Sequence, residues 1–142
     1  MTLSGVRAFF KDQLVALKFK EWTDPFNITN IPATIFDRSY HLDLGKMTIE
    51  SMGANGRGFQ FNNNVTLKMC RKGFRDPSKA VDEGLDQAQT IMGAIVAGAR
   101  RLDQVGLKIV LPTGLDVQAF TQDNDHSAII VMSFKAVFVL EF

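Results

Sequence analysis

Cysteine, net charge and long apolar runs are all scarce in this sequence, and each scarcity removes a class of protein. Cys70 stands alone, so no internal disulfide can form. Its neighbours in "TLKMCRK" place no second Cys or His at ligand spacing, which favours a reducing compartment. Sixteen basic against fifteen acidic side chains leave a formal charge of +1, so no global field draws the protein non-specifically onto nucleic acid. The longest apolar stretch, "IMGAIVAGA" at 91–99, is far short of the roughly 20 residues that span a bilayer. Arg7, Lys11 and Asp12 interrupt the apolar N-terminal segment, which therefore lacks the run of a signal peptide and reads as mature and cytoplasmic.

What is present is ordinary globular material. Apolar residues make up 46% and charged ones 22% of 142 residues, which predicts one domain, 1–142, that buries its own core. In residues 3–20, Val6, Phe9, Phe10, Leu14 and Leu17 recur at steps of three and four, giving an amphipathic helix with Ser4 as candidate N-cap. "TDPFNITNIPAT" at 23–34 holds two prolines and several turn formers and reads as a loop, followed by strand material in "ATIFDRSYHLDL" at 33–44. "KMTIESM" at 46–52 and "FQFNNNVTLKMCRK" at 59–72 flank "GANGRG", the pattern of a β-hairpin.

"CRKGFRDPSKAVDEGLDQAQ" then turns a strand into a helix within a few residues: Gly73 ends the strand, Asp76 caps, and Pro77 takes the first helical position. Val81, Leu85, Ala88, Ile91, Met92, Ile95 and Ala99 make the stripe of this long helix, which finishes near Arg100, Arg101 and Gly106. "GLKIVLP" and "LDVQAFTQ" read as two short strands around the turn "PTG", and "TQDNDHS" as a polar loop. The expected class is α+β: a mostly antiparallel sheet packed against the N-terminal helix and the long helix, with a β-hairpin.

The closing segment "SAIIVMSFKAVFVLEF" is apolar on both faces. Ala128, Ile130, Met132, Phe134, Ala136, Phe138, Leu140 and Phe142 form one, and Ile129, Val131, Val137 and Val139 dominate the other. A buried Val, Ile or Phe is worth roughly 1.5–3 kcal/mol, so neither face should stay wet. Two helices can cover one face. The second is left for more of the same chain or for another subunit.

Chemistry is hard to find. "GANGRG" joins two strands and lacks the Lys-Ser/Thr of a phosphate loop. "DNDH" at 123–126 lacks the Gly and Glu of a calcium loop, and reads as a solvated turn. His41 and Asp43 stand two apart on one strand and could share a face and a hydrogen bond, but no nucleophile accompanies them. Cys70 reads as a half-buried strand thiol. Arg57, Arg71, Lys72, Arg75, Arg100 and Arg101 are scattered without interleaved aromatics, as on a solvated surface. Trp22 and Phe26 read as a small satellite core or as an exposed anchor. No catalytic, cofactor-binding or metal-ligating residue is assigned, and no cofactor is expected.

The order of elements resembles the tail terminator (tail completion, neck) proteins of long-tailed bacteriophages. That order is an N-terminal amphipathic helix, a looping crossover, a β-hairpin running into "KGFRDPSKAVDEGLDQAQTI", a long helix, and strands closing on an apolar C-terminal strand. The likeness covers nearly the whole chain as a pattern of elements and includes no catalytic motif. It implies a structural virion protein, assembled in the host cytoplasm. Copies would form a ring, typically a hexamer, that caps the tail tube, docks to the head connector, and passes genomic DNA without specific binding. Ile129, Val131, Val137 and Val139 would then meet neighbouring copies. Asn27, Asn30, Asn55, Arg57, Asp123 and Asp125, in "FNITNI", "GANGRG" and "TQDNDH", would face the tube or connector. The alternatives are another phage neck or tail-tube part, or a small cytoplasmic enzyme with a site between the long helix and the sheet that uses His41 and Asp43.

Overall fold

The computed structural model of the chain describes residues 2–22, 37–52, 58–101, 106–122 and 125–141. Along it run α1 (Leu3–Ala16), β1 (Lys20–Glu21), β2 (Ser39–Asp43), β3 (Met47–Met52), β4 (Gly58–Phe74), α2 (Pro77–Arg101), β5 (Leu107–Gln122) and β6 (Asp125–Glu141). The fold is α+β. The strands form one sheet in the order β1-β2-β4-β6-β5, and β3 pairs with β4 beyond the end of β2. Every pairing is antiparallel except the short one between β1 and β2. The loop reading of 23–34 and the start of the strand reading of 33–44 lie outside the described residues.

α1 is capped two residues earlier than Ser4. Thr2, in extended conformation, accepts the Gly5 N–H at 3.0 Å, so Thr2 is the N-cap and Ser4 already lies in the first turn. The helix stops at Ala16 because Lys18 takes a left-handed φ of 63°. The Phe19 N–H then reaches the Leu14 carbonyl at 3.0 Å and the Lys18 N–H reaches Val15 at 3.0 Å, the pairing of a Schellman end. Phe19 and Leu14 are both buried in the same hydrophobic core.

The strand-to-helix corner has an evident physical cause. Asp76 Oδ1 accepts the backbone N–H of Ser78 at 3.0 Å and its hydroxyl at 2.8 Å, which holds the Asp76 carboxyl below its ordinary pKa. Pro77 follows as the first helical residue, where a missing N–H costs nothing. β4 runs on through a bulge at Gly73 to Phe74. A Cβ at 73 would sit 2.5 Å from the Asp76 carbonyl oxygen and 2.8 Å from the Ala80 nitrogen, so only glycine lets the chain fold back so tightly.

Arg71, expected among the solvated basic residues, is instead 4% exposed. Its guanidinium bonds Gln87 at 2.9 Å and Glu83 at 2.8 Å on α2. Its Nε stands 3.2 Å from Asp37, near enough for charge attraction though off line for a hydrogen bond. The strand end and the helix start are thereby tied side to side.

The helices cover the face of the sheet that carries Val65, Leu67 and Met69 of β4 and Ile130, Met132, Phe134 and Phe138 of β6, all buried. Phe10 of α1 meets Phe134 with ring centres 5.6 Å apart. The inner line of α2 is Ala80, Gly84, Ala88, Ile91, Ile95 and Ala99, with Val81 and Met92 at its margin. This line is displaced from the stripe of large residues because the closest approach is made by small ones. A Cβ on Gly84 would stand 2.9 Å from Ile130 Cγ1.

β5 corrects two expectations. "PTG" is no turn: Leu107–Gln122 is one strand, and the register with β6 shifts between Pro112 and Gly114 to absorb an extra residue. β5 is an end strand of the sheet, where a proline without an N–H is tolerated. "TQDNDHS" is mostly strand too, since Gln122 pairs with Asp125 and only 123–124 lie between them, outside the described residues.

Candidate functional site

The face of the sheet turned away from the helices is built from the even positions of β4 and the odd positions of β6, set by the direct pairing of Asn62 with Val137 and of Cys70 with Ile129. Its two ends differ. At one end Cys70 and Ile129 are buried, at 0% and 2% exposure, under Trp22, Phe120 and Val131. Trp22 is fixed there by its backbone: its N–H bonds the Tyr40 carbonyl at 2.6 Å, and its carbonyl accepts from His41 Nδ1 at 2.9 Å. Burial, helped by the nearby charge of Asp37, pushes the Cys70 thiol up to about 12. The thiol is fully buried, more than the half-buried strand position expected of it.

At the other end Val137 and Val139 of β6 are only partly buried. Ile109 pairs with Val137 and Leu111 with Lys135, which brings both β5 residues onto this face at 48% and 51% exposure. On the β4 side the surface turns to amides: Gln60 and Asn62 donate to the Glu50 carboxylate of β3 at 3.1 and 2.8 Å. An apolar strip, Ile109, Leu111, Val137 and Val139, therefore lies open along the β5 and β6 side of a polar half-face.

The strip continues around the edge strand. Lys108, Ile109 and Leu111 line a small cleft of about 140 Å³ against Val96 and Arg100 of α2. Beside it, Gln89, Met92, Val96, Ala97, Arg100 and Pro112 line a groove of about 440 Å³ between α2 and β5.

The expected contact residues are thus dispersed. Val131, Val137 and Val139 lie on the second face, where expected. Ile129 does not serve as an exposed contact: it is sealed by its own chain, because Trp22 folds over it. Asp125 forms an ion pair with Lys72 at 3.1 Å beside the β5–β6 turn. Asn27, Asn30, Asn55, Arg57 and Asp123 lie outside the described residues, as do Phe26 and most of "GANGRG". His41 and Asp43 do not bond each other: His41 donates to Trp22, and Asp43 Oδ1 accepts the Gly45 N–H at 2.8 Å. Trp22 joins the satellite cluster rather than standing out as an anchor.

Ile109 and Leu111 were the residues missed by sequence reasoning. Treating "GLKIVLP" as a short separate strand hides that it lies directly beside Val137; the alternating Ile109 and Leu111 were the available signal. Among the described residues, no three His, Cys, Asp or Glu side chains gather as a metal site, and no helix is long and apolar enough to cross a membrane. The chain matches no protein-family model and no curated protein.

Proposed function

We propose that this chain is a structural subunit of a long-tailed phage, of the tail terminator kind: copies close a ring, typically a hexamer, that caps the tail tube and joins it to the head connector. The observation that carries this reading is the open apolar strip Ile109, Leu111, Val137 and Val139 on the second face of the sheet. Covering four such side chains against an identical neighbour gains free energy at roughly 25 cal/mol per Å² of apolar surface, the same term that folds the core. Further support comes from the order of elements, a capped strand-to-helix corner mounting a long helix across the sheet. That arrangement makes a stiff wedge, and stiffness is what a ring subunit needs. A formal charge of +1 suits a pore that lets DNA through without gripping phosphate.

Sedimentation velocity and negative-stain images of the purified protein, followed by mixing with tail tubes, test the reading. Ring-sized particles seated on tube ends are the expected result. Incorporation along the tube would make the chain a tube subunit instead. A monomer at high concentration with no affinity for tube protein overturns the proposal.

A further inference from the structure

The groove between α2 and β5 has an apolar floor and a cationic end. Met92, Val96, Ala97 and Pro112 make the floor, and Gly93, where a Cβ would meet nothing, adds no side chain to fill it. Arg100 stands at the end, exposed and without an ion pair among the described residues, next to Arg101 in the last turn of the helix. An occupant should therefore be narrow, largely apolar, and carry one carboxylate.

The chain itself presents such a surface on its opposite flank. The outer ridge of α1 is Ser4, Ala8, Asp12 and Val15, all exposed and spaced three and four apart, so they line up along one side of the helix. Val15 is 55% exposed, the small Ser4 and Ala8 keep the ridge low, and Asp12 has no ion-pair partner among the described residues. α1 is held on the β1 side of the molecule, where Arg7 and Lys11 pair with Glu21 of β1. The groove is on the β5 side, and β1 and β5 are the two ends of the strand order. The ridge is the outward side of α1, away from the buried Val6 and Phe10, so ridge and groove are separate surfaces that do not meet within one chain.

The geometry points to a head-to-tail contact, one that presupposes the ring reading above. The α1 ridge of one copy seats in the α2–β5 groove of the next, with Asp12 meeting Arg100 and Ala8 and Val15 lying against Met92 and Val96. A contact between two different surfaces on opposite flanks repeats in one direction, and closes into a ring when the rotation between copies divides the circle. The open strip at Ile109 and Leu111 borders the same groove through Val96 and Arg100, so groove and strip form one continuous surface on each copy.

Charge reversal tests the pairing. Asp12→Arg and Arg100→Glu should each weaken assembly by roughly tenfold or more, measured by sedimentation against concentration. The double variant should recover to within a few-fold of the parent. Cross-linking tests the seating: a chain carrying both Val15→Cys and Ala97→Cys, treated with a short bismaleimide, should give a ladder of multimers, and neither single variant should. Cys70 is buried, so the parent protein supplies the silent control.

Particles that still sediment as rings but give no ladder and no charge rescue overturn this contact and leave the ring reading standing. Dimers from either single variant would mean a symmetric contact, and overturn it as well. Cross-linking of the groove cysteine to tail-tube protein would assign the groove to that partner. A parent protein that stays monomeric overturns both readings together.

Discussion

At one end of the second sheet face, Cys70 and Ile129 lie opposite each other beneath Trp22 and Phe120; at the other, the partly buried Val137 and Val139 lie beside Ile109 and Leu111, which remain open. The side chains are similar in kind, and β6 contributes to both ends with the same alternation. What differs is the neighbouring backbone. Trp22 follows directly on β1 and is pinned by hydrogen bonds to β2, which carries a large ring over the first end. The open end is bordered by amides and Glu50, which can bond water, and by β5, the last strand in the sheet order. Burial on this face is therefore local, and an apolar strand surface becomes an interaction surface only where the chain leaves it uncovered.

The contrast is most severely tested by placing one carboxylate at each end. Ile129→Asp should cost at least about 4 kcal/mol in urea unfolding, since it forces an unpaired charge into a sealed site. A loss under about 1 kcal/mol would mean that the end is not sealed. Trp22→Ala should cost about 2 kcal/mol, because the ring is half-buried and its loss uncovers Ile129 and Cys70. It should also speed alkylation of Cys70 in the native protein, and an unchanged rate would count against the role given to Trp22.

The pH dependence isolates the thiol. Its folded pKa, about 12, lies above the ordinary 9.0, so its contribution is complete below pH 9 and declines as pH rises through 9 towards 12. The slope approaches about 1.4 kcal/mol per pH unit within that window. Tyr40, also raised by burial, acts with the same sign, so the useful measurement is the difference in slope between parent and Cys70→Ala. Equal slopes would show that the thiol is not excluded from water. The smallest effect on folding is expected at the open end: Val137→Asp should change stability by no more than about 1 kcal/mol while abolishing ring-sized particles. Particles that survive this change would show that the strip is not used in assembly.

Much of the fold was legible residue by residue. The alternation at Val65, Leu67 and Met69, the stripe at Val6, Phe9, Phe10 and Leu14, and the Asp76-Pro77 helix start all carry short-range signals, and each appears where expected. Other features depend on partners distant in sequence. "PTG" looks like a turn until β6 supplies a long neighbour that draws it into one bulged strand. Arg71 looks like surface until Glu83 and Gln87 arrive on α2 to satisfy it. Gly84 draws no attention as a small residue, yet it sets how closely the helix lies on Ile130.

Of the candidate site, the sequence alone specified that β6 would be apolar on both faces, because side-chain direction along a strand follows from backbone geometry with period two. It also specified the capped corner and the two amphipathic helices, which rest on contacts within one or two turns. Only the tertiary structure decided which part of the second face stays open and that Ile109 and Leu111 join it. Those outcomes depend on strand order and on where Trp22 comes to rest, both set by pairings across large sequence separations that local pattern does not encode.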